Sequence, residues 1–427
     1  MAVNRVITTY EHRSLPVDGA TTANGITLPE AEVLLEIGFM RQGFVELRHN
    51  ELRLAQYCGV VSLGDRVLEV LPKVGEHELA AASRGTLLRL LRLAGDTTVF
   101  RHVSTGQHMQ RAPLIEVFIG AFFDSIVSVV RGGLLRNYLE HEDDLRVVRG
   151  RIVEARQFSI HSNRPDRVAC RYDELTPNNI WNQMLKAALR LTKPWISSVD
   201  LRRRWSELVV VFDEVADIDP AKLLGRKLVF DRRAARYRTA IEWARWILSL
   251  LSPSVRAGQN RAPGLLFDMN LLFQTAVARL LRRQLVANAK VSVSTQVTGT
   301  YLATVSGQRK PAFALRPDIV LDIDARRVVV ADTKWKRVAV SSSGFLLPAE
   351  DDMYQMNAYA SAFGCDRLAL IYPWHDGLSH AKPTVFELRS GGAVSNLEVI
   401  CVDVGDPFFK VPLSDAAELG AALLGSV

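Results

Sequence analysis

The sequence predicts an α/β fold at its C-terminal end, within a multidomain chain that is α+β overall. Three observations carry this. After residue 265 the patterning follows a regular order: a helix over 269–285, strands near 291–305, 314–323 and 327–335, a helix over 352–362 and a strand over 367–373. That α-β-β-β-α-β series describes helices packed on a small central sheet. Residues 1 to about 80 are β-like, and the spacing turns mainly helical from Thr176 onward. At 427 residues and 48% hydrophobic content, the chain is longer than a single core usually accommodates.

The elements are justified in order. "FVELRHNELRLAQYCGVVSLGDRVLEVLPKV" consists of short half-alternating runs broken at His49-Asn50, Gly59 and Leu63-Gly64-Asp65, which are turn signals. Ser83 to Ala94 and Pro113 to Val130 have helical spacing, and 131–154 returns to strand-like pieces around a charged turn. Trp181, Met184, Leu185, Ala188 and Leu189 form an apolar helical stripe, with Pro177 expected in the first turn. A second such stripe, Tyr237 to Ile247, ends before Pro253. The expected division is a β-rich or mixed N-terminal domain (1–130), a mixed then helical middle region (131–250), a linker "LSPSVRAGQNRAPG" (251–264) and a C-terminal domain (265–427).

Composition narrows the class. Lys plus Arg (53) against Asp plus Glu (46) leaves +7, which permits contact with a polyanion without requiring it. Cys58, Cys170, Cys365 and Cys401 stand apart, as buried thiols in a reducing compartment would. The N-terminal "MAVNRVITTYEHRSLPV" has no apolar signal core, and "APLIEVFIGAFFDSIVSVV" is interrupted by Glu116 and Asp124. It reads as a buried helix rather than a membrane span. A cytoplasmic protein is expected.

The chemistry gathers at strand ends. In "RPDIVLDIDARRVVVADTKWK" a turn at Asp324-Ala325-Arg326 would pair two antiparallel strands and set Asp318 opposite Asp332. Side chains alternate along a strand, so Asp332, Lys334 and Lys336 share one face and Thr333 and Trp335 the other. Two facing carboxylates repel each other unless a cation lies between them, and Mg²⁺ takes oxygen ligands of this kind. Lys334 can deprotonate a water or steady negative charge at phosphorus, and the sequence leaves both roles open. In "DDMYQMNAYA" Asp352, Gln355 and Tyr359 fall on one helical face. Taken alone, a DxK triplet also fits a surface hairpin with ordinary charges.

At these residues the chain resembles PD-(D/E)xK endonucleases of the restriction-enzyme superfamily, the motif standing as Pro317-Asp318 and Asp332-Thr333-Lys334. Gln355-x-x-x-Tyr359 resembles the QxxxY element of the RecB-like branch. A fuller resemblance is to McrC-like endonuclease subunits of 5-methylcytosine-dependent restriction systems. It runs through "GLLRNYL", "VVRGRI", "CRYDELTPNNIWNQMLKAAL", "MNLLFQTAVARLL", "RPDIVL", "DTKWK" and "DMYQMNAYA".

The resemblance implies a Mg²⁺-dependent endonuclease acting on double-stranded, methylated DNA. It implies Asp318 and Asp332 as metal ligands, Lys334 as the third catalytic residue, and Gln355 and Tyr359 in support; Lys336, on the face of Lys334, is expected to touch a phosphate. It also implies a partner, a hexameric AAA+ GTPase of the McrB type, contacted through the N-terminal region. No GxxxxGK[ST] occurs here, so GTP would be bound by that partner. One position departs from the pattern: where relatives often carry Glu after Phe on the first core helix, this chain has Phe273-Gln274. Gln274 can hold a water or ligate through its carbonyl but adds no charge. It keeps an alternative open, a weakly catalytic or non-catalytic adaptor that assembles and stimulates an AAA+ partner.

Overall fold

The computed structural model describes residues 5–18, 25–41, 43–73, 79–95, 111–252, 264–286, 290–308, 310–323, 326–390, 393–406, 408–414, 416 and 418–424. The expected linker lies mostly outside them, and so does the turn at Asp324-Ala325. The chain forms two compact units, one of residues 1–114 with 266–427 and the other of residues 115–265. This differs from the division expected from the sequence, because the N-terminal third shares a unit with the C-terminal domain. The reason is packing. The helix Ala80–Ala94 lies against the helix Met269–Leu285, Met269 N–H donates to Gln56 O (3.0 Å), and Arg89 Nε donates to Val404 O (3.1 Å).

In the first unit the N-terminal part mixes short strands with the helices Leu28–Met40 and Ala80–Ala94. Val6–Tyr10 pairs parallel with Val67–Leu71, which pairs antiparallel with Tyr57–Ser62. The sequence reading missed one helix, Leu28–Met40. Its start is encoded by a capping box, in which Thr27 and Glu30 satisfy each other's terminal groups, with Pro29 in the first turn. It buries Glu30, Ala31, Leu34 and Ile37 along one stripe.

The C-terminal part is built on a six-stranded sheet ordered Val291–Thr295, Ile319–Ile323, Arg326–Thr333, Arg367–Pro373, Ala393–Val402, Thr384–Ser390. The first three strands run antiparallel, and Arg326–Thr333 pairs parallel with Arg367–Pro373. The expected strands near 291–305 and 314–323 are each split, because Thr300–Val305 and Lys310–Leu315 form a separate hairpin. Strand Arg326–Thr333 is central, and Val329, Val330 and Ala331 are all buried. This burial on both faces is why it reads as a continuous apolar run. Val320, Val330, Leu368, Leu370 and Tyr372 pack against Met356 and Tyr359 of the helix Glu350–Phe363. On the opposite face Trp335 stacks obliquely on Phe273 of Met269–Leu285 (5.3 Å between ring centres). The sheet is therefore flanked by a helix on each face.

The second unit combines the antiparallel strands Asn137–Leu145, Val168–Thr176 and Arg151–Ile152 with the helices Ile180–Thr192, Val199–Val211 and Arg238–Leu251. Pro177 lies two residues before the N-cap, not in the first turn: Asn179 caps the helix by accepting from Asn182 N–H. Asn182 Nδ2 donates to Leu135 O (2.9 Å), and Tyr237 OH donates to Asn182 Oδ1 (2.9 Å) while accepting from Leu135 N–H (2.7 Å). The "TPNNIWNQ" motif is thus a buried latch that ties the segment after Gly133 to two helices. In "VVRGRI", Gly150 has φ +69° and a Cβ there would meet Arg171 O at 2.4 Å, so no other residue fits. Leu114–Arg131 buries Val117, Phe118, Ile119, Phe122 and Phe123, as expected for a core helix. Among the described residues no helix is long and apolar enough to cross a membrane. All four cysteines are free and buried.

Candidate active site

The parallel strands Arg326–Thr333 and Arg367–Pro373 end together, with Thr333 opposite Ile371 and Lys334 N–H donating to Ile371 O (2.9 Å). Asp332 and Lys334 project from this end toward the helix Glu350–Phe363. That helix starts at Ala349 with Glu350, Asp351 and Asp352 in its first turn, where the helix dipole favours negative charge. Asp352 and Gln355 are therefore delivered to the same point in space as Asp332 and Lys334.

Lys334 Nζ is the centre of the cluster. It lies 2.8 Å from Asp332 Oδ2, 2.7 Å from Gln355 Oε1 and 3.6 Å from Asp352 Oδ1. Gln355 faces both ways: its Nε2 donates to Tyr359 OH (2.8 Å) and, at longer range, to Asp332 Oδ1 (3.4 Å). Lys336 Nζ lies 2.7 Å from Asp352 Oδ2, which also accepts from the buried Tyr372 hydroxyl (2.8 Å). Trp335, on the other face, donates its Nε1–H to Glu11.

Asp318 sits one residue before its strand, and the Ile319–Ala331 pairing continues to place it opposite Asp332. Its carboxylate bends over the strand end. Oδ2 accepts from Thr333 N–H (2.8 Å) and Thr333 Oγ1 (2.7 Å), and Oδ1 accepts from Gln296 Nε2 (3.2 Å).

The electrostatics follow from burial and crowding. Asp332 is only 3% exposed; burial first, then the charge of Asp318, push its pKa up to about 6 against the pull of Lys334. Burial likewise raises Asp318, partly offset by its Thr333 hydrogen bonds. Burial disfavours the Lys334 ammonium, but Asp332, Asp352 and Asp318 outweigh it and hold that pKa above its ordinary value. Burial and then Asp332 keep the Tyr359 hydroxyl protonated far above the ordinary tyrosine range.

Two mutually repelling carboxylates at a strand end suit a hard divalent cation. Mg²⁺ commonly takes one or two protein carboxylates and completes its octahedron with water and phosphate oxygens. No group of three or more His, Cys, Asp or Glu that could hold a metal occurs among the described residues. Asp318 and Asp332 would bring two carboxylates to such an ion, with water and substrate oxygens completing its shell.

Of the residues singled out in the sequence, Asp332, Lys334, Gln355 and Tyr359 form one hydrogen-bonded cluster, Asp318 adjoins it through Thr333, and Lys336 joins through Asp352. Gln274 is buried on Met269–Leu285 beside Phe273, and the bonds just described do not run through it. The sequence reading gave no role to Thr333, Gln296, Tyr372 or Glu11. It placed Asp352 on the right helical face by spacing without assigning it a partner.

Fold and site define a mixed α/β protein with a carboxylate–lysine cluster at the end of a central sheet. The chain belongs to the McrBC 5-methylcytosine restriction system component family, whose model matches residues 52–373. Among solved structures it is similar to a half-complex of Thermococcus gammatolerans McrB AAA+ hexamers with bound McrC, at 19% identity and a TM-score of 0.66. That match covers 93% of this chain and 94% of that one. The likeness is one of fold. A cryo-EM structure of the Thermococcus gammatolerans McrBC complex matches at 22% identity and a TM-score of 0.48, over 66% of this chain and 88% of that one. No curated protein matches the chain.

Proposed function

We propose that this chain is the endonuclease subunit of a modification-dependent restriction complex, cutting methylcytosine-containing DNA with Mg²⁺ and stimulating an AAA+ GTPase partner. The observation that carries the reading is the convergence of Asp332, Lys334, Asp352 and Gln355 at one strand end, with Asp318 beside them. In this reading the site is a PD-(D/E)xK nuclease centre. A bound Mg²⁺ supplies positive charge to the scissile phosphate and acidifies a water. The rest is done by the chain itself: Asp318 and Asp332 hold the ion, Thr333 and Gln296 fix the Asp318 carboxylate, and Gln355 orients Lys334 against Asp332.

Three surrounding carboxylates favour the charged form of Lys334, which supports an electrostatic clamp on the phosphate over a general base. The intact cluster also favours a nuclease over the adaptor alternative raised by Gln274. The partner enters through likeness: the Thermococcus gammatolerans McrC is bound to McrB AAA+ hexamers, and this chain is proposed to bind such a hexamer, which binds the GTP. The test is cleavage of methylated and unmethylated plasmid by the purified chain, with and without an McrB-type GTPase, GTP and Mg²⁺. Cutting confined to methylated plasmid with all components present is expected. GTPase stimulation with no cutting under any condition would leave the adaptor.

A further inference from the structure

Between Asp268 and Asp318 the sequence holds no Asp or Glu, while it holds Arg279, Arg282, Arg283, Lys290, Arg309, Lys310 and Arg316. Their number equals the net charge of the whole chain, +7, so the positive excess is that of this tract. Its hairpin, Thr300–Val305 with Lys310–Leu315, stands apart from the six-stranded sheet. Both ends of the hairpin are rooted at the carboxylate–lysine cluster. Gln296, just before it, donates its N–H to Asp318 O (3.2 Å) and its Nε2–H to Asp318 Oδ1 (3.2 Å). Arg316, just after it, lies two residues ahead of Asp318. Val297 and Leu315 pack the root on the apolar core shared with the helix Glu350–Phe363.

Beyond that root Tyr301, Leu302, Ala303, Thr304 and Val305 are all exposed. Neighbouring side chains on a strand point to opposite faces, so both faces of the arm are bare. An uncovered two-stranded ribbon is marginally stable in water, and the chemistry of this one selects its cover. Lys310 and Arg316 are exposed and have no carboxylate partner among the described residues. Glu350 and Asp351, exposed in the first turn of the adjoining helix, pair with neither. Leu302 (56% exposed) and Phe313 (74%) lie opposite each other at the register position missing from the ladder. Phe313 has φ +57°, a backbone that is costly for a bulky residue, and such strain gathers at ligand clamps. Lys310 and Pro311 on one strand discourage pairing with a further strand from a protein. A six-residue ribbon is about 20 Å long, and the major groove of a duplex admits a two-stranded ribbon.

We propose that this hairpin is a duplex-binding arm that lies in the major groove beside the scissile phosphate, with Lys310 and Arg316 on backbone phosphates and Leu302 and Phe313 against the base edges. The proposal rests on reading the adjacent cluster as a nuclease site, and it adds how that site holds its duplex. Asparagine accepts the left-handed backbone that strains phenylalanine. Phe313→Asn therefore removes the ring from the groove without a cost to the fold.

The test reads binding in chelator, so it does not depend on cleavage. Fluorescence anisotropy of a labelled DNA duplex of about 20 base pairs is measured on the full chain for wild type, Phe313→Asn, and the double variant Lys310→Gln with Arg316→Gln. Phe313→Asn should keep or raise the melting temperature while weakening duplex binding about fivefold, as partial burial of one aromatic ring implies. A role in folding alone would not give these opposite signs. Single-stranded DNA of the same length should bind wild type and Phe313→Asn alike, because only a duplex has the groove. The double variant should flatten the salt dependence by about 1.8 in log–log slope. Wild-type duplex binding by Phe313→Asn, with an unchanged slope in the double variant, overturns the arm. So does the absence of salt-dependent duplex binding by wild type. Loss of self-association, or of binding to an McrB-type hexamer, in Phe313→Asn with duplex binding intact also overturns it, assigning the hairpin to a second copy or to that partner. A chain that never cuts yet keeps this binding pattern would instead count against the nuclease reading alone.

Discussion

Replacing Asp332 by Asn should stabilise the ion-free protein at neutral pH while removing its activity. Asp332 is buried beside Asp318, and its pKa is pushed up from 3.8 to about 6. At about 1.4 kcal/mol per pH unit of displacement, keeping it ionised in the fold costs about 3 kcal/mol, a figure that already includes the attraction of Lys334. The sign follows from linkage. The folded state binds the proton more tightly than the unfolded chain, so stability is highest below pH 4 and falls as pH rises toward 6. Above that the cost is constant. Asparagine mimics the neutral carboxyl, so Asp332→Asn should exceed wild type by about 3 kcal/mol at pH 7 and match it near pH 3.5. Urea denaturation at both pH values in chelator gives the difference directly, and taking it between two proteins cancels the titrating groups outside the cluster. Adding Mg²⁺ should then raise the melting temperature of wild type but not of the variant. A less stable Asp332→Asn at pH 7, or a difference independent of pH, would refute the reasoning.

Further outcomes are expected. Lys334→Met should abolish cleavage without changing GTPase stimulation, and near-normal cutting by Lys334→Arg would confirm a clamp, since arginine does not give up its proton at working pH. Glu11, which burial pushes up to about 7, should behave like Asp332: Glu11→Gln keeps an acceptor for Trp335 and should gain about 3 kcal/mol at pH 8 but nothing at pH 4, read by the same urea titration. Asp352→Ala strands the buried Tyr372 hydroxyl and should cost about 2 kcal/mol, most of it removed in a Tyr372→Phe background in a double-mutant cycle. A fragment ending at residue 250 should lose cooperative unfolding, because Ala80–Ala94 would lack Met269–Leu285; a sharp transition for its N-terminal third would contradict the observed units.

Much of the site was legible because it is assembled from short-range patterns. Alternation placed Asp332 and Lys334 on one face, and the three- and four-residue spacing put Asp352, Gln355 and Tyr359 on one side of a helix. Each needs only a few consecutive residues. Contacts fixed by long-range pairing left no such trace. Tyr372 reaches Asp352 because two parallel strands end in register, and Glu11 reaches Trp335 across 324 positions. The helix Leu28–Met40 was lost for another reason: "EVLLEIGFM" is dense in apolar and β-branched residues and reads as strand, while its capping box carries the helix signal. The expected domain boundary failed on topology. A Pro/Gly-rich segment marks a break in regular structure, but the helix after it packs back onto the N-terminal third.

The most direct measurement is DNA cleavage by the complex reconstituted with Asp332→Ala, with GTP turnover followed in the same reaction. If Asp332 holds the ion that serves the scissile phosphate, cutting of methylated plasmid should fall at least ~100-fold while this chain still stimulates GTP hydrolysis as wild type does. Undiminished cutting by Asp332→Ala, with stimulation intact, would place the active site elsewhere.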